Sequence, residues 1–321
     1  MNTPPLILQV EQLRKTFAAR RGLFKPSGKA VKAVDGVNLE IPAGQTLGLV
    51  GESGCGKSTV ARMITRLLKP DSGVIRFENQ EITELPEHRF KPLREKIQMI
   101  FQDPYSSLNP RMTVAQSIGE GVRVTGMRHK ASQDHRIREL LEMVGLPAAS
   151  APRYPHEFSG GQRQRIGIAR ALSVSPRLIL CDEPISALDV SIQAQIINLL
   201  KDLQTRLGLT YLFISHDLNV VSYICDQVCV MYRGQIVESA PATALFSDPR
   251  HPYTVNLLAA VPEPTSAGWK PRVAVKPANR TPPGGCNYSD QCPDLYSACT
   301  AGPPPMIKVA PHHHVRCVKK S

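Results

Sequence analysis

The sequence predicts an α/β protein built around a mainly parallel β-sheet. Three short apolar runs, residues 46–50, 178–181 and 211–215, have the length and composition of buried strands, and segments with helical periodicity separate them. A glycine-rich turn follows the first run directly and opens onto a helical segment. Strands that alternate with helices form a parallel sheet covered on both faces.

Length and composition fit one large globular domain with an appendage. The chain has 321 residues, of which 42% are hydrophobic and 21% charged, so it can bury a full core. No apolar run approaches the roughly 18 residues that a membrane span needs, and the N-terminal residues do not resemble a secretion signal. We therefore expect a protein without its own membrane span, in a reducing compartment where the cysteines stay reduced.

The chain is basic, with a formal net charge of +12. Seven basic and no acidic residues lie between residues 14 and 32, and the segment after residue 270 is also basic. Basic surfaces attract the phosphates of nucleotides, nucleic acids or lipid headgroups, although many such surfaces are only solvated. Charge alone does not choose between these classes.

Changes in pattern along the chain divide it into segments. Strand-like runs at 6–10 and 34–41 precede the glycine-rich turn, and the helix after that turn is expected to continue until Pro70. Residues 103–158 are polar with helical periodicity and read as a helical insert, and residues 228–239 read as a hairpin. We expect a core domain over 1–261, a proline-rich linker over 262–285 and a four-cysteine tail over 286–321.

The glycine-rich turn has the spacing of a phosphate-binding loop. Its glycines let backbone N–H groups cradle phosphates at a helix N-terminus, Lys57 would reach the β- and γ-phosphates, and the Ser58 hydroxyl would bind Mg²⁺. The strand before it and the helix after it are the context that this motif requires. The predicted nucleotide-binding residues are Gly51, Ser53, Gly54, Cys55, Gly56, Lys57, Ser58 and Thr59.

Two carboxylates end the next predicted buried strand. Asp182 would lie at the strand tip and hold Mg²⁺, and Glu183 would orient or polarise the attacking water. An Asp-Glu pair after an apolar run is often only a solvated strand end. The phosphate-binding loop earlier in the chain makes the catalytic interpretation the better one.

A second glycine-containing turn opens onto a helix at residues 159–162, which are Ser-Gly-Gly-Gln. Its N–H groups and serine hydroxyl could bind a second anion. Two phosphate-binding surfaces on one chain suggest that the second serves a partner's nucleotide. The alternative is a helix cap that binds nothing.

These motifs, in this order, resemble those of the ATP-binding-cassette (ABC) family of transport ATPases over about residues 6–261. The matches are the Walker A loop, the Q-loop glutamine Gln102, the signature at 159–162, Walker B at Asp182 and Glu183, the D-loop at 186–189, and the switch histidine His216. Phe158 departs from the leucine that usually begins the signature. The family fold is a P-loop core with an antiparallel β subdomain and a helical insert.

The resemblance implies a head-to-tail dimer of two cassettes that holds two ATP molecules. Glu183 would act as the general base, His216 would contact the γ-phosphate, and Gln102 would reach Mg²⁺ and the water. Phe17 falls where the family stacks an aromatic ring on adenine, although a phenylalanine is more often a core residue. The residues expected to act on the partner's ATP or at the dimer contact are Ser159, Gly160, Gly161, Gln162 and Asp189.

Three further segments, 103–113, 153–158 and 248–254, look like the ATPase subunits of bacterial dipeptide, oligopeptide and nickel importers, most of all the second ATPase subunit of the dipeptide importers. That resemblance implies a second ATPase subunit, two membrane permease subunits and a periplasmic or extracellular peptide-binding protein as partners, at the cytoplasmic face of the inner membrane. The sequence alone leaves a homodimer of this chain open as the alternative to two different ATPase subunits. The cargo itself, peptide or nickel, stays open.

A soluble ABC ATPase acting on nucleic acid is the alternative from another class. Chromosome-maintenance members carry a long coiled coil between Walker A and the signature, whereas Gln102 and Ser159 are only 57 residues apart here, with no heptads. Translation-factor members carry two cassettes, and this chain has one. We therefore expect no nucleic-acid partner.

The tail contains four cysteines separated by five, six and seventeen residues, namely Cys286, Cys292, Cys299 and Cys317. Four thiolates can hold a [4Fe–4S] cluster or a tetrahedral Zn²⁺ ion. The two-residue spacings of zinc knuckles are missing, and the resemblance favours the iron–sulfur cluster. Unmetallated thiols, or disulfides formed on oxidation, are the remaining alternatives.

Overall fold

The computed structural model describes residues 4–18, 30–260 and 285–320. Within these ranges the strands are β1 Leu6–Phe17, β2 Val31–Pro42, β3 Thr46–Val50, β4 Ser72–Phe77, β5 Gln80–Glu81, β6 Ile97–Ile100, β7 Leu178–Asp182, β8 Thr210–Ile214, β9 Gln227–Tyr232, β10 Gln235–Pro241, β11 Ile307–Ala310 and β12 His313–Val315. Almost all of the predicted linker and much of the basic segment 14–32 lie outside the described residues.

Helices connect or flank these strands. They are α1 Lys57–Ile64, α2 Glu87–Lys96, α3 Pro104–Ser107, α4 Val114–Val124, α5 Lys130–Met143, α6 Gly160–Leu172, α7 Val190–Leu207, α8 Leu218–Ile224, α9 Ala242–Ser247, α10 Pro252–Ala259 and α11 Ala298–Ala301. No helix of the described ranges combines the length and the apolar character that a membrane crossing demands.

The main sheet has the order β11-β12-β10-β9-β3-β8-β7-β6, and its strands from β9 to β6 run parallel. Every residue of β3, β7 and β8 is buried, as expected for strands covered on both faces. This arrangement confirms the predicted α/β class with a mainly parallel sheet. The predicted hairpin is β9–β10, which turns at Arg233 and Gly234, both with positive φ.

A second, antiparallel sheet has the order β2-β1-β4-β5. Its inner face shares one core with α1 and with one face of the main sheet. Helices α4, α5 and α6 pack around Ile118, Val122 and Leu141 and form a second core with the other face of the main sheet. Both cores reach the phosphate-binding loop, because Val50 before it belongs to the second core and Cys55 within it to the first.

Helix α1 is shorter than the sequence predicts. The apolar spacing suggested a helix until Pro70, but α1 ends at Ile64. Arg66 adopts a left-handed φ of 55°, and Leu67 is 60% exposed, so the apolar residues after Ile64 do not continue the buried stripe. The prediction was wrong because Leu67 and Leu68, although spaced as on one helical face, follow the left-handed Arg66 beyond the end of the helix.

The C-terminal segment is attached to the main sheet. Strand β12 pairs with β10 through Glu238 opposite Val315, and β11 pairs with β12. The fully buried carboxylate of Glu238 accepts backbone N–H bonds from Arg250 (2.7 Å) and His251 (2.8 Å), and lies 2.7 Å from Nε2 of His313. Buried carboxylates need such partners, so this contact holds the segment to the sheet.

Candidate functional site

The phosphate-binding loop connects β3 to α1 and is shaped by two glycines with positive φ. Gly51 has φ 148° and Gly56 has φ 113°. A Cβ atom on Gly51 would lie 2.1 Å from the carbonyl oxygen of Met231, and one on Gly56 would lie 2.1 Å from that of Ala33. Only glycine fits at both positions, and the resulting curl turns the loop's backbone inward.

Lys57 is folded onto this loop. Its ammonium group donates to the carbonyl oxygens of Gly51 (2.7 Å) and Glu52 (2.8 Å), and the side chain is only 5% exposed. Two backbone carbonyl groups thus hold the positive charge of Lys57 at the phosphate-binding loop. A triphosphate bound in the loop would meet this cation directly.

Ser58 and Asp182 face each other at the start of α1 and the end of β7. The Ser58 hydroxyl donates to Oδ1 of Asp182 at 2.8 Å. Burial raises the pKa of the Asp182 carboxyl above its ordinary value, and the Ser58 bond opposes that rise. A hydroxyl and a carboxylate at this separation are the oxygen ligands that Mg²⁺ prefers, so the pair fits the ion that the motif implies.

Glu183 is the meeting point of the predicted catalytic side chains. Its Oε2 accepts from Nε2 of Gln102 at 2.9 Å and lies 3.4 Å from Nδ1 of His216. Glu183 has a left-handed φ of 48°, which is unusual for a residue with a Cβ. The backbone thus directs this carboxylate differently from a residue that continues the strand, and the structure brings Gln102, Glu183 and His216 together.

Most of these groups surround one open cleft of about 790 Å³, within the range of small-molecule sites, whereas Asp182 lies buried behind Ser58 and outside the lining. The residues lining it are Ala33, Ser53, Gly54, Gly56, Lys57, Ser58, Thr59, Gln102, Asp103, Glu183, Ser186, Ala187 and His216. Most of the predicted nucleotide-binding residues are among them. Cys55 instead turns its sulfur inward to 3.7 Å from Nζ of Lys57 and is 7% exposed.

The second predicted phosphate-binding surface does not line this cleft. Ser159 is the N-cap of α6: its hydroxyl accepts from the Gln162 N–H (3.4 Å), and the Gln162 side chain accepts from the Ser159 N–H (3.1 Å). Ser159, Gln162 and Asp189 are exposed. Phe17, at the end of β1, is 43% exposed and also lies outside the cleft lining.

The four tail cysteines line one small cavity together with His251 and Tyr288. All four are free thiols, and burial raises the pKa of Cys292 to about 11 and that of Cys286 above its ordinary value. In the part of the chain that the structure describes, no three or more His, Cys, Asp or Glu side chains are arranged to hold a metal ion. The fold thus gathers the four thiols around one space.

Comparisons with known proteins show what kind of protein has this geometry. The family profile described as ABC transporter matches residues 34–186, and that described as oligopeptide/dipeptide transporter, C-terminal region, matches residues 237–299. The oligopeptide transport ATP-binding protein AppF of Bacillus subtilis is 49% identical over 317 residues, which cover 97% of this chain and 96% of that protein. The chain belongs to the ABC transporter ATP-binding proteins.

Other relatives agree with this assignment. A protein of Brucella ovis named as a peptide import ATP-binding protein is 46% identical over 99% of both chains. The structure of a dimeric ATP-binding cassette with ADP and Pi bound aligns with a TM-score of 0.65 and 29% identity, over 73% of this chain and 98% of that one. CbiO1 of Clostridium perfringens aligns with a TM-score of 0.65 and 30% identity, over 78% and 95%. The fold is that of an ABC ATPase, and ATP hydrolysis is its activity.

The sequence did not indicate the tyrosines that pack next to the phosphate-binding loop of this ABC ATPase, outside the cleft lining. Tyr253 and Tyr288 pack there, and Tyr253 contacts the loop directly. In the sequence, the segment 248–254 carries only a resemblance to a family branch. Nothing in its spacing pointed to the loop, because the contact joins residues 201 positions apart.

Proposed function

We propose that this ABC ATPase powers import of dipeptides or oligopeptides across a bacterial inner membrane. The observation that carries the proposal is the oligopeptide/dipeptide transporter C-terminal region over residues 237–299, combined with 49% identity to an oligopeptide transport protein over nearly the whole chain. The chain would work at the cytoplasmic face, as a peripheral subunit. Nickel, or another small solute, is the alternative cargo.

The cleft supports a division of labour among its residues. Lys57 would bind the β- and γ-phosphates, and Ser58 and Asp182 would hold Mg²⁺, which neutralises charge on the phosphates. Glu183 would take a proton from the attacking water. Its contacts with Gln102 and His216 keep that carboxylate in the cleft lining, where it could face a water beside the γ-phosphate.

The signature turn, in which Ser159 and Gln162 are exposed, supports a head-to-tail dimer. Ser159 and the backbone of Gly160 and Gly161 would bind the γ-phosphate held by the partner cassette, with Gln162 and Asp189 at the contact. Phe17 would stack on adenine in the same chain. A second, different ATPase subunit is the proposed partner, and one aligned relative is itself a dimer with ADP and Pi bound.

A second groove, of about 360 Å³, supports docking of the permease subunits. It lies between β6 and the helices α4 and α6, and Leu67 and Phe101 expose 60% and 37% of their surface there. Phe101 directly precedes Gln102, which contacts the proposed general base. A permease loop in this groove would therefore lie next to the residue that reports the state of the ATP site. A peptide-binding protein outside the membrane would deliver the cargo.

Uptake measurements test the proposed cargo. In a bacterial strain lacking this chain, we expect re-expression of the wild type to restore uptake of labelled di- or oligopeptides, and a Glu183→Gln variant to leave uptake at background. Labelled nickel uptake is measured in the same cells. Nickel uptake that depends on the chain while peptide uptake does not would overturn the peptide assignment.

We further propose that the tail cysteines hold a [4Fe–4S] cluster, with Zn²⁺ as the alternative. The support is chemical: Cys286, Cys292, Cys299 and Cys317 are free and share one cavity. Four thiolates are the donor set of such clusters. A bound cluster would fix a segment that has little apolar core of its own.

Anaerobic purification with iron, sulfide and zinc analysis tests this assignment. We expect about four iron and four sulfide per chain and a visible absorption band, both lost in Cys299→Ser. The matched control is Cys225→Ala, which removes a buried thiol outside the four-cysteine tail and should leave the iron content unchanged. Zinc in place of iron would support the alternative, and a metal-free protein would refute both.

A further inference from the structure

A tyrosine outside the cleft lining makes a hydrogen bond to the phosphate-binding loop. The backbone N–H of Glu52, the second residue of the loop, donates to the hydroxyl oxygen of Tyr253 at 3.0 Å. Tyr253 lies in α10 and is 2% exposed. Burial raises the pKa of its hydroxyl above the ordinary value, so the group stays protonated and neutral.

The same loop residue is also held by the site's lysine. Lys57 donates to the carbonyl oxygen of Glu52 at 2.8 Å, so Glu52 is bound through both of its backbone groups. Lys57 has a second task, since its ammonium group is the one that meets the phosphates. The bond from the Glu52 N–H to Tyr253 does not involve the lysine, and neither of its residues lines the cleft, so it can hold the loop whether or not ATP is bound.

Tyr253 is itself fixed by a cluster of three tyrosines, one of which lies in the cysteine segment, residues 285–299. Its ring centroid lies 4.5 Å from that of Tyr232 and 5.5 Å from that of Tyr288, and Tyr232 and Tyr288 are 5.1 Å apart. Tyr288 lies between Cys286 and Cys292 in sequence and accepts a bond from Asn256 at 2.6 Å. Aromatic pairs at these distances attract beyond the effect of burial alone.

A second path joins the same two regions. Arg233 donates to the Asp290 carboxylate (2.8 Å) and to the carbonyl oxygen of Asn287 (3.2 Å), both in the cysteine segment. The next residue, Gly234, donates its N–H to the carbonyl oxygen of Cys55 in the phosphate-binding loop at 2.9 Å. The hairpin turn thus contacts the loop on one side and the cysteine segment on the other.

We propose that Tyr253 is a positioning residue for the phosphate-binding loop, and that through it the cysteine segment, residues 285–299, sets the affinity for ATP. The segment holds Tyr288, Tyr288 holds the Tyr253 ring, and the Tyr253 hydroxyl holds Glu52. By linkage, ATP binding must in return stabilise the cysteine segment. The proposal depends on ATP binding by this chain, and neither on the cargo nor on the metal content.

Nucleotide binding and kinetics of a Tyr253→Phe variant test the hydroxyl contact. The ring and its packing remain, and only the acceptor for the Glu52 N–H is lost. We expect ATP affinity to weaken about three- to tenfold, as for one lost hydrogen bond, with kcat at saturating ATP within about twofold of the wild type. A merely structural residue would lower the active fraction, and so kcat, without this split.

Tyr232→Phe is the matched control. Tyr232 belongs to the same cluster, but its buried hydroxyl has no hydrogen-bond partner among the described residues. Removal of the Tyr232 hydroxyl should therefore leave the ATP affinity unchanged. Equal effects of Tyr232→Phe and Tyr253→Phe on affinity would overturn the proposal, as would wild-type affinity in Tyr253→Phe.

Hydrogen exchange of the cysteine segment provides the reciprocal test. In the wild-type chain, we expect a non-hydrolysable ATP analogue to slow amide exchange over residues 285–299, and Tyr253→Phe to abolish most of that slowing at saturating analogue. A segment whose exchange does not respond to the analogue, or responds equally in both proteins, would show that it is not coupled to the loop through Tyr253.

Discussion

A Glu183→Gln variant is expected to bind ATP as the wild type does and to hydrolyse it about 10²- to 10⁴-fold more slowly. Glutamine keeps the size of the side chain and its hydrogen-bonding capacity toward Gln102 and His216, but it cannot accept a proton from water. The phosphate-binding loop, Lys57 and the Ser58–Asp182 pair remain in place. Binding and turnover should therefore separate.

Single-turnover hydrolysis and equilibrium nucleotide binding, measured in the assembled transporter, check this result. Glu142→Gln is the control, because Glu142 is exposed on α5 and lies outside the cleft lining, so it applies the same charge change without touching the site. Wild-type turnover in Glu183→Gln would refute the general-base role. Lost binding would mean that the carboxylate acts on the nucleotide and not on water.

The ATP site was largely readable from the sequence because its parts are local. A buried strand, a glycine-rich turn and a helix follow one another without interruption at residues 46–64, and the two glycines at which no Cβ fits are part of the motif itself. Asp182 ends β7 and Glu183 follows it, and β7 is a parallel strand separated from β3 only by β8, so their carboxyl ends meet at one edge of the sheet. The meeting of Glu183 with Gln102 and His216 then follows from the sheet order.

The attachment of the C-terminal segment could not be read in the same way. Its proline-rich approach has no periodicity, and β12 has three residues, too few to give a strand pattern. The pairing of β12 with β10 depends on a carboxylate, Glu238, that no local signal marks as buried. Long-range contacts such as Glu238 with His313 and Glu52 with Tyr253 depend on how the folded chain packs. The spacing of residues along the sequence does not indicate such contacts.

Replacing Lys57 with alanine is expected to weaken ATP affinity about 10- to 100-fold and to lower turnover as well, because charge-assisted hydrogen bonds to the phosphates are lost. The variant also leaves the carbonyl oxygens of Gly51 and Glu52 without their Lys57 donor. Some loss of stability should accompany the loss of binding, so thermal unfolding is measured beside nucleotide titration. Lys69→Ala, which removes an exposed lysine beyond α1, is the control.

Comparison of Lys57→Ala with Tyr253→Phe separates the two ways in which Glu52 is held. Both variants loosen the loop, but only Lys57→Ala removes a charge that meets the phosphates. Lys57→Ala should therefore lose far more ATP affinity than Tyr253→Phe, and raising the salt concentration should narrow the difference, since salt screens the charge. Unchanged ATP binding in Lys57→Ala would refute its contact with the phosphates. Equal losses in the two variants would mean that Lys57 acts only by holding the loop.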